Sequence, residues 1–264
     1  MPRAIWSART SGLAVLRDVA ARDAAWVLRY LVARRFGLPI GPRGPRLVHF
    51  CGLGGPVCID PATGGLSAYY EIARVGVYGP PPPQGGVVVD VGANVGMFSA
   101  WAAGHVGPRG RLLALEPNPH SHGLAQRTLA GLGVRAELLR VAAGAGTGRL
   151  PLTVPPGRDV GATLLAGTDG RAVDVDVTAL DEVVASAGID HVDLLKIDVE
   201  GWEREALTGA VATLERTAAV AVETTADLRG DVGTALLAAG LEAQDVVRGV
   251  WGHDDLCVVR ARRP

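Results

Sequence analysis

The chain has 264 residues, 48% of them hydrophobic and 20% charged, with a formal net charge of -1. That length suits one substantial core with an N-terminal addition and is short for two enzymatic domains. The composition excludes a disordered chain, and the near-zero charge removes any global electrostatic case for a nucleic-acid partner, leaving a small-molecule or glycan-like substrate as the expectation.

Three cysteines, Cys51, Cys58 and Cys257, form no CxxC pair and no His/Cys cluster at zinc spacing, so neither a disulfide framework nor a structural zinc is expected. No apolar run reaches the roughly 18 residues of a spanning helix. The N-terminus MPRAIWSARTSGLAVLRD lacks an apolar h-region and a cleavage site. A cytoplasmic location is the resulting expectation.

Residues 1–46 carry nine arginines against Asp18 and Asp23, and Leu13 to Phe36 places apolar residues at helical spacing. This N-terminal extension reads either as a helix for a membrane surface or partner, or as an amphipathic helix capping the core. GPRGP at 41–45 ends it. Residues 47–86 form an accessory layer: a hairpin from Leu47 to Ile59, a helix from Ser67 to Ile72, and a stiff connector from Pro80 to Gly86.

Residues 87–264 alternate short apolar runs with helical stretches, the pattern of an α/β, doubly wound parallel sheet. Strands are predicted at Val87–Val91, Leu112–Glu116, Ala136–Val141, Leu194–Asp198, Ala219–Glu223, near Leu241–Val247 and at Leu256–Arg260. Gly144 to Val177 breaks the alternation and predicts a hairpin excursion.

In VVVDVGANVGMFSAW an apolar strand enters a glycine turn and then a helix. Gly92 and Gly96 let the backbone pass close to a ligand, the free N–H groups of the helix start suit an anionic group, and Asp90 suits an ammonium. The GxxxG spacing after Asp90 differs from the GxGxxG of pyrophosphate-binding folds, which argues against a nicotinamide cofactor. RLLALEPNP then ends a second strand in Glu116, 26 residues on, where a carboxylate can accept from both ribose hydroxyls of a nucleoside. Usage of rare residues converges here: Lys196 is the sole lysine, and Asn94 and Asn118 are the only asparagines.

Through DVGANVGMFS, LEPNP and LLKIDVEGWEREALTG, the stretch from Tyr69 to Val259 resembles the FkbM-type family of S-adenosylmethionine (SAM) dependent methyltransferases. The resemblance implies a Rossmann-like, seven-stranded methyltransferase fold and O-methylation of a hydroxyl on a secondary metabolite, sugar or glycolipid, with S-adenosylhomocysteine as the other product. It also implies a cofactor site made of Tyr69, Asp90, Gly92, Ala93, Asn94, Gly96, Phe98, Ser99, Glu116, Pro117, Asn118, Ala142 and Asp198. Family members commonly carry an Asn before the small residues after the third strand; this chain has Arg140-Val141-Ala142-Ala143.

Methyl transfer to an aliphatic hydroxyl needs alignment, and a base is worth roughly 10²–10⁴-fold. LLKIDVEGWE supplies Lys196, Asp198 and Glu200 at period two, predicting a paired Lys/Asp/Glu cluster at the sheet edge. Asp198 is the candidate facing the methyl group, as base or orienter; Lys196 and Glu200 either share in the chemistry or brace it, and Glu223 can complete an acidic pair. No metal is assigned, and His105 and His253, the latter in the GVWGHDDL loop, are candidate site neighbours left out of the assignment. Tyr69, with Tyr70 and Glu71, either folds over the cofactor or packs against the first helix. A nicotinamide-dependent reductase and a non-catalytic SAM-binding scaffold are the rival readings.

Overall fold

The computed structural model describes residues 15–37, 41–61, 66–155, 162–165, 169–248 and 255–264. Charge placement favours helix α1 (Ala21–Phe36): Asp23 stands in its first turn and Arg34 and Arg35 in its last, each sign opposing the helix dipole. Gly37 ends it in the left-handed conformation, at φ 62°. Of the helix expected from Leu13 to Phe36, Leu13 and Ala14 lie outside the described residues; Val19 pairs its backbone with Phe50, and helix is continuous from Ala21. Val27 and Tyr30 of α1 are buried in the core, and Asp23 accepts from Arg46 and from the backbone N–H of His49. This ties α1 to the antiparallel hairpin of β1 (Arg46–Val48) and β2 (Val57–Ile59). Next, α2 (Leu66–Tyr69) runs on as a π-helical turn over Tyr70–Val75.

After the proline connector come β3 (Val87–Val91), α3 (Met97–Val106), β4 (Arg111–Leu115), α4 (Pro119–Leu129), β5 (Arg135–Leu139), β6 (Ala142–Ala143), β7 (Gly148–Val154) and β8 (Arg171–Thr178). They are followed by α5 (Leu180–Ser186), β9 (Val192–Ile197), α6 (Glu203–Thr208), α7 (Val211–Glu215), β10 (Thr217–Thr225), α8 (Arg229–Ala238), β11 (Glu242–Arg248) and β12 (Leu256–Arg262). Seven strands form one sheet in the order β11-β12-β10-β9-β3-β4-β5, parallel except for β12, which runs antiparallel between β10 and β11. This is the doubly wound, seven-stranded architecture that the resemblance implies.

The expected excursion is a β7–β8 hairpin joined by β6 in a separate small sheet. The strand expected at Ala136–Val141 ends at Leu139 in the large sheet, and the next residues to pair, Ala142 and Ala143, join β8.

Alternation along β3 sends Val88 to one core face and Val89 and Val91 to the other. The first face is covered by α3, α4 and the N-terminal layer, the second by α5 to α8. Asp90 shares the first face with Val88. Register then brings charge together: Asp90 stands opposite Lys196 on β9, and Lys196 stands opposite Ala221 on β10, two residues before Glu223. The chain order reverses between β3 and β9, which in open α/β sheets is where ligands bind, outside the carboxyl ends of the strands.

Candidate active site

A cleft opens at that reversal. Its walls are Val91, Gly92 and Asn94 after β3, Leu115 to Pro117 after β4, Val141 to Ala143 after β5, and Asp198 to Glu200 with Trp202 after β9. Ala162 and Leu164 of the excursion border it, and Thr163 between them donates to the Glu200 carbonyl at 2.7 Å.

The β3 turn is tightly held. Gly92 has φ 80°, donates to the Leu115 carbonyl at 3.0 Å, and lies so close to β9 that an added Cβ would come 1.8 Å from the Asp198 carbonyl oxygen. Among the described residues two non-glycines have positive φ, Asn94 at 50° and Glu200 at 52°, and both line the cleft. Such conformations persist where surroundings enforce them. For Asn94 the enforcing partner is Glu116, whose Oε2 accepts the Asn94 N–H at 2.7 Å while Oε1 accepts the Asn118 N–H at 2.9 Å. Burial pushes the Glu116 pKa up to about 7, against the opposing pull of those two donors. A carboxylate offers about four lone-pair sites, so two stay open to ligand hydroxyls.

Beside this turn lies a buried charge cluster. The Lys196 ammonium meets three acceptors: the Gly92 carbonyl at 2.6 Å, Asp90 Oδ1 at 3.1 Å and Asp198 Oδ2 at 3.4 Å. Ser99 donates to Asp90 Oδ2 at 2.6 Å. The rings of Tyr78 and Phe98 flank the ammonium at 5.8 and 5.9 Å. Burial alone would lower the Lys196 pKa; Asp90, then Asp198, hold it above its ordinary value, so the ammonium stays charged. Glu223 is buried on the same face.

The expected site residues separate into groups. Gly92, Asn94, Glu116, Pro117, Ala142, Asp198 and Glu200 line the cleft. Ala93 is buried in the turn and donates to the Leu115 carbonyl at 2.9 Å. Asp90, expected to receive a ligand ammonium, is instead fully buried and turned to Ser99 and Lys196, so it braces the turn from beneath. Phe98 and Ser99 lie beneath as well. Gly96, at φ 82°, packs against the side chains of Leu129 and Thr128 of α4. Asn118 caps α4, its Oδ1 accepting from His120 at 3.1 Å. Tyr69 does not border the cleft: it stacks on Phe50 at 4.6 Å and donates its hydroxyl to the Cys51 carbonyl, because the N-terminal layer gives its ring an apolar place. The strand β9 ends at Ile197, so the period-two alignment of Lys196 and Asp198 does not extend to Glu200, whose backbone turns left-handed. His105 Nδ1 donates to the Trp101 carbonyl on α3 at 2.9 Å, and His253 lies outside the described residues.

Two residues escaped the sequence reading. Tyr78 reaches Asp198 and Glu223 from the turn before the proline connector, 120 and 145 residues away in the chain, with no periodic signal. Glu203 is buried at the start of α6, accepts the Gly201 N–H at 2.8 Å, and is pushed up to about 7 by burial; its place inside LLKIDVEGWE was the available clue.

The profile of the methyltransferase FkbM domain matches residues 90–237. Methyltransferase sdnD of Sordaria araneosa is 28% identical over 232 residues, spanning 74% of this chain and 85% of that protein. Methyltransferase 1 of Beauveria bassiana (strain ARSEF 2860) is 29% identical over 201 residues, 67% of this chain and 80% of that one. The crystal structure of methyltransferase FkbM from Methylobacillus flagellatus KT aligns with a TM-score of 0.46 at 18% identity, covering 95% of this chain and 58% of that one.

Proposed function

The chain belongs to the methyltransferase FkbM family, and from that premise we propose that it transfers the methyl group of SAM to a hydroxyl oxygen of a small-molecule or glycan-like acceptor. The observation that carries the reading is Glu116: a buried carboxylate at the cleft, fixed by two backbone N–H groups, with lone pairs left for a vicinal diol. SAM bound there would supply an electrophilic methyl on a sulfonium sulfur. Asp198 and Glu116, both lining the cleft, place carboxyl oxygens beside a cationic ligand. Val141, Ala142 and Leu164 offer an apolar wall to a flat base.

Of the charge cluster, Asp198 alone borders the cleft, and its side chain keeps 22% exposure. Lys196 and Tyr78 both engage its Oδ2, leaving Oδ1 for an acceptor hydroxyl. Asp198 takes or orients that proton while Gly92 and Glu116 hold the cofactor side still. We expect Glu116→Ala to abolish SAM binding in calorimetry, and Asp198→Asn to bind SAM normally but lose about 10²–10⁴-fold in turnover. Wild-type SAM affinity in Glu116→Ala would discard the site, and tighter binding of NAD than of SAM would favour a reductase. Incubating a host metabolite extract with isotopically labelled SAM, and searching for one mass-shifted product, identifies the acceptor.

A pH dependence follows from Glu116. Ribose hydroxyls donate to the ionised carboxylate, so below its value of about 7 in the ligand-free fold a proton must leave before binding. SAM affinity should therefore weaken as pH falls through 7, approaching about tenfold per unit, and Glu116→Gln should flatten this slope. An equal slope in both proteins would assign the titration elsewhere.

A further inference from the structure

After β9 the chain turns back on itself at Val199 to Trp202, where the Trp202 N–H donates to the Val199 carbonyl at 3.3 Å. The two central residues, Glu200 and Gly201, have φ of 52° and 94°. Positive φ at both centres marks a type I′ turn, which glycine, asparagine and aspartate favour and glutamate does not. A close alternative exists: turning over the single peptide between Glu200 and Gly201 gives a type II′ turn, with positive φ at the first centre alone.

Side chains hold both polar groups of that peptide. The Glu200 carbonyl accepts the Thr163 hydroxyl at 2.7 Å, and the Gly201 N–H donates to Glu203 Oε1 at 2.8 Å. The two holders come from different parts of the fold: Glu203, 1% exposed, opens α6, and Thr163, 7% exposed, belongs to the excursion. Thr163 is itself fixed. Its backbone exchanges two hydrogen bonds with Thr153 on β7, at 2.8 and 3.0 Å, and its hydroxyl accepts the Leu165 N–H at 3.1 Å. A flipped peptide would point its carbonyl away from Thr163 and its N–H away from Glu203 at once, so each bond supports the other. Val199, Glu200 and Trp202 of the turn line the cleft, as do Ala162 and Leu164 on either side of Thr163.

We infer that Thr163 and Glu203 are positioning residues that clamp the Glu200–Gly201 peptide from its two sides, and that through Thr163 the excursion sets the shape of the cofactor cleft. The inference rests on the reading of that cleft as the SAM site. The turn follows Asp198 directly, so the clamp fixes the wall that continues from the residue facing the acceptor.

Amide hydrogen exchange in the full, ligand-free chain, read by NMR at one fixed pH, tests the clamp. Thr163→Val keeps the shape of the side chain, loses its hydroxyl and removes nothing that touches the Gly201 N–H. Gly201 should nevertheless exchange about five- to tenfold faster, the worth of one hydrogen bond, and Thr163→Ser should restore the wild-type rate. The Ala93 N–H, bonded to the Leu115 carbonyl in the β3 turn, should keep its rate in all three proteins. An unchanged Gly201 rate in Thr163→Val overturns the clamp, and so does an equal acceleration at Ala93, which would show general loosening. Thr163→Ala decides the matter if the valine protein does not fold. Calorimetry reads the link to the cleft: SAM affinity should weaken about five- to tenfold in Thr163→Val and return in Thr163→Ser. Wild-type affinity in Thr163→Val overturns that link. If the wild type itself does not bind SAM, the methyl-transfer reading falls and the link to the cofactor with it, while the exchange rates still decide the clamp.

Discussion

Exchange of Lys196 for methionine is expected to destabilise the folded chain by about 3–5 kcal/mol. Asp90 is fully buried with its Oδ1 3.1 Å from the ammonium, and the Gly92 carbonyl takes a further proton at 2.6 Å. Removing the cation leaves a carboxylate without its counter-charge and a turn carbonyl without its donor, whereas deleting both charges together removes the cause of the strain. Lys196→Met with Asp90→Asn should therefore recover part of the loss, a departure from additivity that urea unfolding of the four proteins measures. Against a total stability of roughly 5–15 kcal/mol, the single variant stands near the threshold of folding. A loss below about 1 kcal/mol would mean that water replaces the ammonium and that the cluster contributes little to the fold.

The second large effect is expected at Gly92. Its φ of 80° disfavours any side chain, and the added methyl of Gly92→Ala would meet the Asp198 carbonyl oxygen at 1.8 Å. Neither backbone has room to retreat: Asp198 donates to the Val91 carbonyl at 3.0 Å, and Gly92 is tied to Leu115. We expect a destabilisation on the order of 4 kcal/mol or more, with loss of SAM binding because both cleft walls shift. Gly96→Ala should be milder, since its neighbours at 3.0 and 3.1 Å are side-chain carbons of Leu129 and Thr128 that can yield. Gly123→Ala, within α4 and with nothing near its added carbon, should instead stabilise by about 0.4–1 kcal/mol. Thermal and urea melts give the order, and a Gly92→Ala protein as stable as Gly123→Ala would refute the close-approach argument.

Both predictions concern residues that were visible in the sequence, but for reasons that were not. Gly92 reads as a glycine that admits a ligand; its nearest demand is the adjoining strand. Asp90 reads as a ligand contact, and the register opposite Lys196 makes it an internal brace. Glu116 was legible because a carboxylate ending the second strand of such a sheet has one characteristic place to go. Lys196 and Asp198 were legible as a pair because period two keeps them on one side of β9, while Glu200 departs from that side once the strand ends.

By itself the sequence determined the α/β alternation, the glycine turn, the two strand-end carboxylates and the lysine strand, because hydrophobic periodicity and local turn chemistry act over a few residues. Only the tertiary structure decided which carboxyl faces the cleft, which is buried, and that Tyr78 joins them. Those outcomes depend on strand order and register, which set distances between residues more than a hundred positions apart, and local pattern carries no information about such distances.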